Sequence, residues 1–235
     1  GVTGFRCDAG YMIPVDAWQY MIAKVREQYP DTVFFLEGLG GKISVTRDLL
    51  NRANFNWAYS ELFQNYDRDQ IERYLPEAYD IAASDGITVH FAETHDNNRL
   101  AATSSTYARM RTALCALLSP NGAFAFANGV EWFATEKISV HDACSLNWDA
   151  PNNQVAEIAT ISALLKTHPA FGPDTHLELV GRGEGNFIAL FRRHRPSGRW
   201  ALVLGNLDWQ HPVTASWGAD ILHWQAAGAT DLLRG

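Results

Sequence analysis

The sequence predicts an α/β fold with a parallel sheet, followed by a smaller antiparallel β region. Three observations predict it. Short apolar runs alternate with longer helical patterns up to about residue 170, as βα units do. Runs such as "TVFFL" are apolar at successive positions, as strands covered on both faces are. After His168-Pro169 the helical patterns give way to apolar runs separated by the glycine-bearing turns "GRGEGN" and "RPSGR".

A strand is expected over 2–7. A helix follows over 15–28, where Trp18, Ile22, Val25 and Tyr29 fall on one face, and Pro14 suits its first turn. Strands over 32–36 and 55–59 come next, then a helix over 69–84. A fourth strand over 87–92 is backed by a helix over 105–118, and 123–127 supplies a fifth. A helix over 154–166 carries Ile158, Ile161 and Leu165 on one face. The tail holds strands over 177–180, 186–193 and 200–206. Five parallel strands fill most of a sheet but not a closed eight-stranded barrel.

The 235 residues are 47% hydrophobic and 19% charged, enough apolar material for a sizeable core. No apolar run reaches the roughly 18 residues of a membrane-spanning helix, so no membrane partner is expected. The net charge is −7 and the basic residues form no stripe, which argues against nucleic acid as a partner. The densest basic stretch, Arg192-Arg193-His194-Arg195, reads as a solvated strand end. Cys7, Cys115 and Cys144 are too few and scattered for a disulfide framework, and are expected as free thiols.

Three acidic residues share one placement. Asp8 follows "GFRC", Glu37 follows "TVFFL" and Asp96 follows "VHFAETH". Each lies at the carboxyl end of an expected parallel strand, where α/β proteins place their chemistry. Retaining glycoside hydrolysis needs a nucleophilic carboxylate and a carboxylic proton donor about 5 Å apart. Arg6 and Asp8 are two apart on an extended strand and point to the same side. The guanidinium favours the ionised form a nucleophile requires. Glu37 emerges from Phe34, Phe35 and Leu36, apolar surroundings that favour the protonated form of a donor.

These residues carry a resemblance. "GFRCDAGYMIP", "FFLEGLGG" and "FAETHDNNRL" resemble, in order and placement, conserved segments of the α-amylase family, glycoside hydrolase family thirteen. "ISALLKTHPAFG" is similar to that family's passage from its last barrel helix into a C-terminal β domain. The resemblance implies the C-terminal part of a (β/α)8 TIM barrel, about five βα units carrying strands four to eight, over 1–172. A C-terminal antiparallel β domain would occupy 173–235. It implies Asp8 as nucleophile, Glu37 as general acid/base and Asp96 as the carboxylate that steadies the distorted sugar ring. Arg6 would hold Asp8, and His95 would bond a sugar hydroxyl. Tyr11, Asn98 and Arg99 are further candidates for contact with substrate. The family's first conserved segment, on an earlier strand, is not found, so the chain is expected to be the C-terminal part of a larger enzyme.

The expected activity of that enzyme is retaining cleavage of α-1,4 or α-1,6 glucosidic bonds in α-glucan or maltooligosaccharide. α-Glucanotransfer and a non-catalytic glucan-binding partial barrel are the alternatives. Family members often carry a Lys-His pair shortly after the nucleophile; Tyr11 and Met12 stand in that neighbourhood here. No cofactor is expected of this chain, and calcium is implied only for the larger enzyme. An incomplete barrel leaves sheet edges uncovered, so the isolated chain is expected to self-associate or rearrange.

His90, Glu93 and His95 invite a metal reading, but His90 has the opposite parity on a strand, so a packed or sugar-binding histidine is preferred. "GLGGK" lacks the spacing of a phosphate loop and reads as a flexible loop at the site. Trp57, Tyr59, Tyr11 and Trp132 are aromatics placed to pack in the core or to stack on sugar rings, and Asn97 neighbours Asp96 with a side-chain amide.

Overall fold

The computed structural model describes residues 2–139, 141–218 and 229–234; the segment 219–228, at the end of the expected β domain, lies outside the described residues. Strands β1 (Gly4–Cys7), β2 (Val33–Leu36), β3 (Trp57–Tyr59) and β4 (Ile87–Val89) form one sheet in chain order, parallel throughout. The helices between them are α1 (Val15–Gln28), α2 (Ile43–Asn51) and α3 (Arg68–Ser84). Helices α4 (Ser105–Leu117) and α5 (Val155–Thr167) follow β4. Local chemistry sets the helix starts. Asp67 and Gln70 form a reciprocal capping box at α3, and Ser104 accepts from the Tyr107 amide at α4.

Strand alternation separates two faces. Phe34, Leu36, Cys7 and Ala58 face the helices and form one core with Ile22, Leu49, Leu50 and Phe55. Phe35 lies on the other face, its ring 4.3 Å from Tyr59 and 5.9 Å from Trp57, centre to centre. Tyr59 continues the aromatic row to Phe91 at 5.0 Å. These rings line the face of the sheet turned away from the helices, called the inner face below.

Two expectations are corrected here. The segment 123–127 is not a strand: its one ladder contact is a parallel bridge between His90 and Phe124. The turn at Pro120–Gly122, with Asn121 at φ 53°, and Gly129 at φ 91° close in on it from both sides, leaving little extended chain to pair. Helix α2 was not expected, although Thr46, Leu49 and Leu50 are buried at helical spacing.

The tail forms a three-stranded antiparallel sheet of β5 (Thr175–Leu179), β7 (Phe187–His194) and β8 (Trp200–Asn206), in the order β5-β7-β8. A two-stranded pair, β6 (Gly181–Arg182) and β9 (Ser216–Trp217), lies beside it in the sequence. Ile188, Leu190, Ala201 and Val203 share one core with Ile71, Leu75, Leu114 and Leu118. The tail sheet is thus sealed onto α3 and α4.

Arg192 corrects a third expectation. It is not part of a solvated strand end but fully buried. Its Nε donates to the Ala170 carbonyl at 2.8 Å, and Nη1 and Nη2 donate to those of Leu117 and Ser119 at 2.9 Å. The guanidinium carbon lies 4.4 Å from the centre of the Phe171 ring. Burial lowers its pKa to about 10, so it stays charged at neutral pH. Strand β7 is buried at every residue from Phe187 to Arg192, and only at Arg193 does it meet solvent.

His90 is also fully buried, on the bridge beyond β4. Burial lowers its pKa to about 3, with nearby Arg192 acting in the same direction. Neither ring nitrogen has a partner at full hydrogen-bond geometry. The folded value lies below the unfolded one, so stability is complete above about pH 6.5 and falls as pH drops towards 3. The loss is roughly 1.4 kcal/mol per pH unit, or about 2 kcal/mol by pH 5. The His90→Leu variant is expected to escape that loss. Urea unfolding at pH 7.5 and pH 5 checks it: equal pH sensitivity of the two proteins would refute the assignment.

Candidate active site

The carboxyl end of β1 is built around a turn. Arg6 Nη1 donates to Asp8 Oδ1 at 2.6 Å, and the guanidinium carbon lies 5.6 Å from the Tyr59 ring centre. Burial works against the charge on Arg6, but hydrogen bonds to Asp8 and Tyr59 outweigh it, and its pKa is raised. Asp8 itself is open to solvent, with 77% of its side chain exposed. Ala9 then takes a left-handed conformation, φ 44°, and turns the chain back over β2. Gly10 donates its amide to the Glu37 carbonyl at 2.9 Å. A Cβ at Gly10 would stand 2.4 Å from Leu36 Cδ1, so a side chain here would have to displace the fully buried Leu36.

Glu37 occupies the position after Leu36, and the register pairs Arg6 with Phe35 and Cys7 with Leu36, one residue short of both acids. The Glu37 amide still donates to the Cys7 carbonyl at 3.0 Å, so Asp8 and Glu37 leave adjacent strand ends with the parity of Arg6 and Phe35. Glu37 is buried, with Oε2 accepting from the Ala9 amide at 2.7 Å and Oε1 from the Leu39 amide at 2.8 Å. Phe34 and Leu36 face the helices, so of the three apolar neighbours only Phe35 shares the side of Glu37. The surroundings of Glu37 are more polar than the sequence suggested. Each oxygen keeps a second lone pair, so Glu37 can carry a proton while both amide bonds persist.

The "GLGGK" loop is tied down rather than free. Gly40 donates to Glu61 Oε1 at 2.8 Å, and Gly41 lies against Tyr11, whose Cγ would be 3.0 Å from an added Cβ.

Asp96 stands on a turn beyond β4, not at the strand end itself. Thr94 shapes that turn, donating to Asn97 Oδ1 at 2.6 Å and accepting from the Asp96 amide at 3.1 Å. His95 Nε2 is 3.4 Å from Asp96 Oδ2. Arg6, His95 and Asp96 line one cavity of about 270 Å³, together with Leu39, Tyr59, Phe91, Glu93, Thr94 and residues 125–127.

The other candidates are placed less centrally. Tyr11 is half-buried against Gly41, outside the cavity lining, and Asn98 is exposed. Arg99 is buried and outside that lining. Its Nη1 donates to Glu93 Oε1 at 2.8 Å, Nη2 to the Asn128 carbonyl at 2.5 Å and Nε to that of Glu136 at 3.2 Å. Trp57 begins β3, level with Phe35 and Arg6 in the sheet, and lies outside the cavity lining. Glu93 is the residue that sequence reasoning missed as a site wall: it lines the cavity and also accepts from the Leu100 amide at 2.7 Å. An acid six residues before Arg99, flanking His95 and Asp96, was its signal. Among the described residues no three His, Cys, Asp or Glu side chains gather closely enough to hold a metal ion.

A parallel βα sheet with acids beyond the carboxyl ends of its strands defines a protein of the (β/α)8 barrel class. No family model matches the chain. A maltosyltransferase of Burkholderia pseudomallei, named for α-1,4-glucan and maltose-1-phosphate, is 25% identical over a 245-residue alignment. That alignment covers 98% of this chain and 21% of the relative. An α-amylase from Lactobacillus plantarum superposes with a TM-score of 0.62 at 20% identity, over 81% of this chain and 49% of the other. A maltogenic α-amylase from Thermotoga neapolitana gives 0.66 at 15%, over 87% and 48%. The chain therefore spans about a fifth of the Burkholderia protein and about half of each solved structure. It is similar to enzymes of the α-amylase family and has the fold of the C-terminal part of their barrel.

Proposed function

We propose that this chain carries the catalytic carboxylates of a retaining α-glucan-active enzyme. The observation that supports the reading is the pairing of β1 with β2 up to Cys7 and Leu36, with Asp8 and Glu37 the next residue of each strand and the Ala9 amide donating to Glu37 Oε2 at 2.7 Å. Carboxyl groups on adjacent strand ends are what two-step displacement uses. Asp8 attacks the anomeric carbon, and its bond to the leaving oxygen breaks as Glu37 protonates that oxygen. Glu37 then takes the proton of an incoming hydroxyl, whose oxygen displaces Asp8. Asp96 and His95 line a cavity with Arg6, the hydrogen-bond partner of Asp8, though Asp8 and Glu37 are not among its lining residues; Asp96 and His95 would hold ring hydroxyls. A barrel part over 1–172 and a β domain over 173–235 are proposed on the same footing.

Transfer to an α-glucan acceptor is the reading favoured over hydrolysis, because the relatives are named as maltosyltransferases that use maltose-1-phosphate. With such a donor the leaving group is phosphate, which departs with less help from an acid than a sugar alkoxide does. Maltooligosaccharide is supplied with and without maltose-1-phosphate, and phosphate and chain length are followed. Phosphate release with chains lengthened by a maltosyl unit is the expected result. Shortened chains without a phosphate donor would replace transfer by hydrolysis, and no reaction in either arm would remove the catalytic reading.

A further inference from the structure

The loop after the cavity carries two tryptophans in contact. Trp132 is half-buried, and Trp148 is 65% exposed. Their ring centres are 6.0 Å apart and the planes open at 39°. So much indole at the surface is uncommon, because tryptophan is highly buried on average. The pair is also held. Asn147 Nδ2 donates to the Trp132 carbonyl at 2.7 Å, joining the two arms of the loop. Phe133, Asn147 and Asp149, each next to one of the tryptophans, adopt positive φ of 51°, 55° and 59°; asparagine and aspartate enter that region readily, but a bulky phenylalanine does so only under local constraint. At the base, Gln154 donates its amide to the Glu131 carbonyl at 2.9 Å and Nε2 to that of Val130 at 2.8 Å. Arg99 joins the same loop at Asn128 and Glu136 to Glu93 in the cavity wall.

We propose that Trp132 and Trp148 form an accessory binding platform for a coiled α-glucan chain, outside the cavity that Arg6, His95 and Asp96 line. The rings are too close for a flat molecule to slide between them, and too inclined for one flat molecule to lie on both. Consecutive pyranose rings of an α-linked chain are inclined to one another, and each can place its apolar C–H face on one indole. Phe126 and Ala127 line the cavity and begin the same loop, so a chain long enough to leave the cavity has the platform on its way. A fixed platform loses little freedom on binding.

The proposal rests on the α-glucan reading above, and the test separates the two. Calorimetric titration with maltoheptaose, maltotriose and cellohexaose is made on the wild type, Trp148→Ala and Trp148→Phe, with turnover of Glu37→Gln measured alongside. The exposed position of Trp148 makes its replacement structurally mild, and circular dichroism checks the fold. Trp148→Ala is expected to weaken maltoheptaose binding roughly tenfold, with a smaller effect on maltotriose and most of the affinity restored in Trp148→Phe. Cellohexaose, whose chain is flat, is expected to bind no better to the wild type than to Trp148→Ala. Equal maltoheptaose affinity in the wild type and Trp148→Ala overturns the platform; the catalytic reading still stands if Glu37→Gln has lost turnover. If maltoheptaose neither binds to nor is turned over by the wild type, both readings fall.

Discussion

Turnover in the Glu37→Gln variant is expected to fall on the order of a thousandfold. The amide neither gives a proton to the leaving oxygen nor takes one from the acceptor. The geometry adds a second cost. Both Glu37 oxygens accept backbone amides, from Ala9 and Leu39, so the new NH2 group meets one of them donor to donor. The turn that carries Asp8 is then disturbed as well. A donor with a leaving group that needs no proton separates the two effects. If only acid–base chemistry is lost, such a donor gives a rapid burst of leaving group, followed by slow release of the glycosyl group. If the turn has moved, the burst disappears too. Unchanged steady-state turnover would take Glu37 out of the mechanism.

The largest stability effect is expected at Arg192. Its guanidinium satisfies three carbonyls, those of Leu117, Ser119 and Ala170. Methionine fills much of the same space but leaves these oxygens without their donors inside the protein. Each buried acceptor left unpaired costs about 1–3 kcal/mol, and partial relaxation brings the expected total to roughly 3–5 kcal/mol. That is a large share of the about 5–15 kcal/mol that stabilises a typical domain. Lysine keeps the charge but not the planar fork, so Arg192→Lys is expected to recover only part of the loss. Urea denaturation measures both. A change below about 1 kcal/mol in the methionine variant would show that the carbonyls find other partners.

The alternation of strands and helices was legible because β2 is apolar on both faces and α1 and α5 repeat their apolar positions at helical spacing. The strand-end acids were legible for a related reason: Asp8 and Glu37 each interrupt an apolar run where the chain leaves the sheet. What escaped depends on contacts far apart in sequence. Arg192 looked like surface because three of four neighbouring residues are basic, and no local pattern reveals carbonyls some 20 and 75 residues away. The pairing of Glu93 with Arg99 was hidden by the parity argument about metal ligation, which considered Glu93 only beside histidines. The segment 123–127 has strand-like residues, but pairing is set by the bends around it and not by its own propensity.

The place of Arg192 at the meeting of α4, the turn at Pro169–Phe171 and β7 bears on how the protein can be rearranged. A helix C-terminus leaves carbonyls that need donors, and here the donors for the end of α4 arrive on a strand of the tail. An exchange of genetic segments that joined a foreign tail after residue 172 would carry the sheet across and leave the clasp behind. Only a tail that brings a comparable donor to the same point satisfies those carbonyls.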